Sequence, residues 1–240
     1  MIDWLRRPAA DPVVEVGGRT VPIAIRRHAR ARRLTMRLAP DGSEIRVTLP
    51  RWCATRDAIV FAYARTDWLE RQLAAVPRTA PPEPGGPLRY RGEDLIIAWE
   101  PSRRRQPVLQ GECIVVGGPR DSLAPRLQRW LQAEAKRLLA DDLTFYCARA
   151  GHEVPQLHLS RAQRRWGSCS DRAAIRINWR LVQAPDAVRR SVVAHEVAHL
   201  VHFDHSPAFH AELARLFEGD LGAADRWLKD HGRGLYAAFG

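Results

Sequence analysis

Between residues 12 and 50 apolar and polar positions alternate, which predicts β structure. Val13-Val14-Glu15-Val16 and Val21-Pro22-Ile23-Ala24-Ile25 flank Gly17-Gly18, so a hairpin is expected. Leu34-Thr35-Met36-Arg37-Leu38 and Ile45-Arg46-Val47-Thr48-Leu49 alternate about Asp41-Gly42, a strong local hairpin signal. The period then lengthens. Over residues 55–75, Ile59, Ala62, Tyr63, Trp68, Leu69 and Leu73 recur at roughly helical spacing, and Thr55 is placed to cap the helix. Residues 77–87, rich in proline and glycine, can neither continue a helix nor join a central strand and read as a loop or linker. Residues 88–117 return to β structure, with Leu95–Trp99 and Cys113–Val116 as candidate strands. No internal repeat stands out.

The second half is more helical. Leu127, Trp130, Leu131, Ala135, Leu138, Leu139 and Leu143 fall at three- and four-residue steps, predicting a long helix from about Ser122 to Arg149 with Gly151 at its C-terminal cap. A short strand at 157–160 follows. Arg164–Ser170 and Ala174–Trp179 read as a hairpin turning at Asp171-Arg172. Ala184-Pro185-Asp186 opens another helix, with proline and an acid suited to its first turn. The expected fold class is α+β. Residues 1–120 form an N-terminal antiparallel β portion with one helix, and residues 121–240 a second domain whose helix lies beside a small antiparallel sheet.

Composition narrows the function classes. Hydrophobic content of 45% fits a globular chain. The first residues carry no apolar run of secretory-signal length and no stretch approaches a membrane span, so a cytoplasmic protein without membrane contact is expected. Cys53, Cys113, Cys147 and Cys169 form no C-x-x-C pair, which argues against a cysteine zinc knuckle and a disulfide framework. The formal net charge is +11, and of 38 basic residues only Lys136 and Lys229 are lysine. Arginine excess supports weak attraction to polyanions, or simply a compositional bias; no nucleic-acid-binding motif accompanies it. The basic run 26–33 reads as a solvated face.

The candidate chemistry lies in His195-Glu196-Val197-Ala198-His199, with further histidines at 202, 205 and 210. Residues four apart share a helix face, so His195 and His199 can hold one metal ion, and Glu196 can reach a water activated by it. Hydrolytic zinc sites use three protein ligands and keep one position open. His202 continues the helical face, but one straight helix does not wrap three imidazoles around an ion. Asp204-His205-Ser206-Pro207 reads as a helix break, with Ser206 capping a new helix, so His205 can approach from outside the first. His205 is the preferred third ligand; His202, Glu212 and Glu218 remain alternatives. The His195–His205 spacing equals that of the metzincins, but His202 stands where that pattern has glycine and no methionine follows the site. His210 reads as a supporting or surface residue.

Arg165-Trp166-Gly167-Ser168-Cys169-Ser170, Ile177-Asn178-Trp179-Arg180-Leu181, His195-Glu196-x-x-His199 and His205-Ser206-Pro207-Ala208-Phe209 together resemble the YgjP-like metallopeptidase family, related to SprT-like and WLM proteases. The resemblance covers about residue 20 to the end. It implies a zincin-like catalytic domain, with His195, His199 and His205 on Zn2+ or another divalent metal and Glu196 as the catalytic glutamate. It also implies an edge strand beside the active-site helix where an extended polypeptide can add by strand pairing. On that basis Arg164, Arg165, Trp166, Gly167, Ser168 and Arg176 are candidate substrate contacts. His210 departs from the large aromatic residue expected in relatives. The same resemblance brings a second activity, metal-dependent pyrophosphohydrolysis of a nucleoside triphosphate, UTP, for which Arg161, Arg164, Arg165, Arg176 and Arg180 would matter. A three-histidine site is unusual for that chemistry, so peptide hydrolysis ranks first. A third reading is a non-enzymatic nucleic-acid-binding protein with structural zinc.

Overall fold

A computed structural model describes residues 12–74, 76, 81–170 and 174–239. The chain divides into two compact units, Met1–Arg78 and Thr79–Gly240. The boundary expected at residue 120 therefore falls inside the second unit.

The first unit contains β1 (Val13–Val16), β2 (Arg19–Arg27), β3 (Thr35–Leu38) and β4 (Ile45–Leu49), then α1 (Thr55–Tyr63) and α2 (Thr66–Ala74). Both expected hairpins form: β1 pairs with β2 and β3 with β4, each antiparallel. The sheet is not wholly antiparallel, however. Its order is β1-β2-β4-β3, and β2 and β4 run parallel with Ile23 opposite Ile45. Alternation buries one face, where Val14, Val16, Val21, Ile23, Ile45, Val47 and Leu49 meet Ala58, Ala62, Leu69 and Leu73 of the helices. The single helix expected over 55–75 is two. Ala64 closes α1, its N–H donating to the carbonyls of Ala62 and Val60. The N-cap is Ala54 rather than Thr55, and its N–H donates to the Asp57 carboxylate at 2.9 Å.

The second unit opens with a sheet of the same topology. Strands β5 (Pro87–Tyr90), β6 (Glu93–Trp99), β7 (Val108–Gln110) and β8 (Cys113–Val116) are ordered β5-β6-β8-β7, with β6 and β8 parallel between two antiparallel hairpins. The fold thus repeats a four-strand unit that the sequence does not display as a repeat. Leu88, Tyr90, Leu95, Ile97, Ile114 and Val116 of this sheet share one core with Leu123, Leu127 and Leu131 of α3 (Leu123–Ala150). That shared core is why residues 81–120 belong with the C-terminal half. α3 ends where expected, with Gly151 left-handed at φ 72.

The remaining elements are β9 (Leu157–Ser160), β10 (Gly167–Cys169), β11 (Ile175–Asn178), α4 (Asp186–Val201), α5 (Pro207–Leu216) and α6 (Leu221–His231). β10 and β11 form the expected hairpin; its expected turn, Asp171-Arg172, lies outside the described residues. The small sheet is mixed, because β11 also pairs with β9 in parallel, leaving β10 at the edge.

Several contacts fix α4. The β5–β6 turn docks on the 3-10 turn Trp179–Gln183 that leads into it: Arg91 N–H donates to Val182 at 2.8 Å and Gly92 N–H to Gln183 at 3.1 Å. A side chain on Gly92, at φ 90, would press on Pro185. Asp186 receives Arg91 and Arg189, and Arg189 also donates to Asp142 of α3 at 2.7 Å. Arg190 reaches Glu218 at 2.5 Å. The helix bearing the histidines is thus anchored at its start, on α3 and on the sheet.

Candidate metal centre

α4 carries His195, Glu196 and His199 and stops at Val201. His202 has extended backbone, φ −131 and ψ 111, and its N–H still donates to the carbonyl of Ala198. Ser206 then caps α5: its hydroxyl accepts from the Phe209 N–H at 3.4 Å, and Pro207 takes the first helical position. The break swings His205 back towards α4. Ligand nitrogens of His195, His199 and His205 all lie within 4.8 Å of one another.

The three imidazoles are grouped closely enough to hold a metal ion, and the spacing of two of them suits zinc. Nε2 of His195 and Nε2 of His205 are 3.4 Å apart. Two nitrogens bound to one zinc ion at about 2.0–2.1 Å and a tetrahedral angle are separated by about 3.3–3.4 Å. His199 Nδ1 lies 3.0 Å from the carbonyl oxygen of His202, so Nδ1–H donates there and Nε2 keeps its lone pair for a ligand bond. Burial first, then His199, His205 and His210, lower the His195 pKa to about 4, which leaves a neutral imidazole ready to bind.

The alternatives for third ligand are engaged elsewhere. Glu212 is bound by Arg215 at 2.7 and 2.9 Å. Glu218 accepts from the Tyr146 hydroxyl at 2.9 Å and pairs with Arg190. His202 contributes its carbonyl, not its ring, to the cluster. His210 is exposed, its ring 6.5 Å from that of His205.

One residue that periodicity did not single out is Phe209. Its buried ring sits 5.0 Å from that of His195, 4.5 Å from His199 and 4.8 Å from His205, so one aromatic packs under all three imidazoles. Its signal was positional: it is the third residue of a helix whose serine cap and proline start are readable.

Glu196 is buried, at 5% exposure. Burial raises its pKa to about 7, opposed by the Arg165 charge and by the backbone N–H of Cys169, which donates to it. The candidate substrate contacts divide. Gly167 lies directly against the Glu196 side chain. Arg164, Arg165 and Arg176 are exposed, and only Arg165 faces Glu196 closely enough to act on its charge. Ser168 is half-buried on β10 and, by strand alternation, points away from the face that meets Glu196. Trp166 packs on Tyr236, ring centres 5.8 Å apart, and against Gly232, which makes it part of the wall rather than a free platform. Arg180, grouped in sequence with the site arginines, is buried instead between Trp179 and Tyr236, its guanidinium 4.7 and 4.5 Å from their rings.

The family pattern for the YgjP-like metallopeptidase domain matches residues 32–231. The chain belongs to the YgjP-like metallopeptidase family. It is a metal-dependent hydrolase, and the family implies a divalent metal. Among solved structures, the metallopeptidase zymogen of Pyrococcus abyssi abylysin is similar at 20% sequence identity, covering 40% of this chain and 96% of that one with a TM-score of 0.36. No curated protein matches the chain. No helix among the described residues is long and apolar enough to cross a membrane. Cys53, Cys113, Cys147 and Cys169 are free thiols.

Proposed function

We propose that the protein is a zinc metallopeptidase in which His195, His199 and His205 hold the metal and Glu196 is the general base. The observation that carries this reading is the 3.4 Å separation of the His195 and His205 nitrogens beside a buried glutamate whose pKa is raised to about 7. When bound, zinc supplies Lewis acidity, which polarises a carbonyl and brings the ionisation of water towards neutral pH. Glu196 takes the proton of the attacking water and returns it to the departing amine. Its burial keeps its proton affinity high enough for both transfers. The outer edge of β10 supports an extended polypeptide as substrate. Trp166 O accepts from Asn178 at 2.7 Å and Ser170 N–H donates to Ala174 at 3.0 Å, so the alternate residues, Gly167 and Cys169, turn their backbone groups outward; the Cys169 N–H is taken by Glu196, which leaves the N–H and C=O of Gly167 and the C=O of Cys169 for a partner. A substrate strand can pair there.

Exposed arginines favour a second reading, hydrolysis of a nucleoside triphosphate such as UTP. Arg164, Arg165 and Arg176 carry no ion pair among the described residues and are open to phosphates. The deciding experiment assays the metal-loaded protein in parallel on an unfolded polypeptide and on UTP, with Glu196→Gln in both arms. Cleavage of polypeptide that Glu196→Gln abolishes supports the first reading. Turnover of UTP alone, abolished by the same substitution, overturns it.

A further inference from the structure

The geometry points to Gly167 as a positioning residue for Glu196: its missing side chain is the seat in which the Glu196 carboxylate lies against the edge strand. This rests on the reading of Glu196 as the base. A Cβ placed on Gly167 would lie 2.7 Å from both Cγ and Cδ of Glu196 and closer still to its Oε1. No real Cβ tolerates those contacts, so any other residue at 167 must displace the carboxylate or the strand. The glycine is not required by its own backbone. Gly167 is absent from the residues with positive φ, and it pairs with Ile177 in an ordinary antiparallel register. What needs the glycine is the neighbour, not the local turn.

The seat has a second component. The Cys169 N–H, turned outward on the same edge as that of Gly167, donates to the Glu196 carboxylate. The side chain is therefore held at two points: its stem and carboxyl rest on the bare Cα of Gly167, and one oxygen accepts from the strand two residues on. Such a seat limits the rotamers of a side chain that must face the reacting water, which is how a supporting shell keeps a base within reach. It also accounts for a glycine between Trp166 and Ser168, where a larger residue would strengthen the strand.

The role differs from that of a substrate contact. A strand-adding peptide reads the backbone N–H and C=O of residue 167, and alanine offers both. If Gly167 only met substrate, Gly167→Ala would be close to neutral or would raise KM. If it seats Glu196, the same substitution strikes kcat.

The test compares Gly167→Ala, Glu196→Ala and the double variant, with kcat and KM on unfolded polypeptide, metal stoichiometry and thermal midpoint measured on each. Gly167→Ala is expected to lower kcat by about 100-fold or more, the scale of a misplaced general base, with KM and metal content unchanged. Glu196→Ala removes Cγ, Cδ and Oε1 and with them the overlap, so the double variant should match Glu196→Ala in thermal midpoint even where Gly167→Ala alone lowers it. Full kcat in Gly167→Ala, a rise in KM alone, or a double variant whose midpoint lies below that of Glu196→Ala would each overturn the inference. Full activity of Glu196→Gln would overturn the reading of Glu196, and this inference with it, whatever Gly167→Ala does.

Discussion

Arg189 on α4 donates through Nε to Asp142 on α3 at 2.7 Å, with side-chain exposures of 3% and 10%. This buried pair joins the helix that carries His195, Glu196 and His199 to the 28-residue α3. Removing Asp142 leaves the buried Arg189 guanidinium with the more exposed Asp186 as its remaining carboxylate partner. Asp142→Ala is expected to destabilise the protein by about 3–5 kcal/mol, read as a shift in urea midpoint. Replacing both residues by apolar ones of similar volume should recover much of that loss.

Asp186 gives the fold a pH dependence. Burial acts to raise its pKa, but hydrogen bonds and charges from Arg91 and Arg189 outweigh it, and the carboxyl is held below the usual range. A depressed folded pKa contributes stability that is fully present above the unfolded value, about 3.9, and is lost as pH falls through the folded one. Asp186→Asn should therefore lower stability at neutral pH and lessen its fall in acid. Denaturant midpoints measured from pH 7 to pH 2 check this, and parallel curves for parent and variant would refute it.

The metal should be dispensable for folding. The core that holds α4 runs from Leu88 to Leu235 and includes none of the three histidines. Chelation is expected to abolish hydrolysis while the near-ultraviolet circular dichroism stays native. Collapse of that signal would point to a structural ion instead.

Phe209 and His205 separate support from ligation. Phe209→Leu keeps an apolar plug but loses the flat ring under the imidazoles, so metal affinity should fall by about 10–100-fold, as for other supporting partners, with the fold intact. Phe209→Ala should in addition cost about 3–5 kcal/mol of stability. His205→Ala is expected to weaken metal binding beyond either, whereas His202→Ala, which keeps the carbonyl that His199 uses, should bind as the parent does. Competition against a chromophoric chelator measures all four. Equal affinity in His205→Ala and loss in His202→Ala or Glu212→Ala would reassign the third ligand.

The sequence disclosed what depends on near neighbours. Alternation about Asp41-Gly42, the stripe from Leu127 to Leu143 and the Ser206-Pro207 restart are local signals, and each corresponds to an element. The parallel pairings of β2 with β4 and β6 with β8 left no such mark, because a strand alternates in the same way whichever neighbour it joins. The division of the chain was hidden for a related reason. Residues 88–117 resemble the earlier strands in pattern, and only their burial against Leu123, Leu127 and Leu131 assigns them to the later unit. The proline-rich stretch after residue 76 was the better boundary signal. Within the site, His195, Glu196 and His199 were legible from spacing. Gly167 and Phe209 were not legible as neighbours of the base and the ligands, since their contacts cross between elements.

The break between α4 and α5 gives the ion a mechanical meaning. His195 and His205 are ten residues apart in the chain, and a metal shared between them is a crosslink that closes this span into a ring. Loop closure lowers the freedom of the enclosed chain, and the enclosed chain here is the end of one helix and the start of the next. With the proposed ligands, an ion held there would tighten the joint between two helices, and a ligand that draws His205 away would loosen the joint and the ion together.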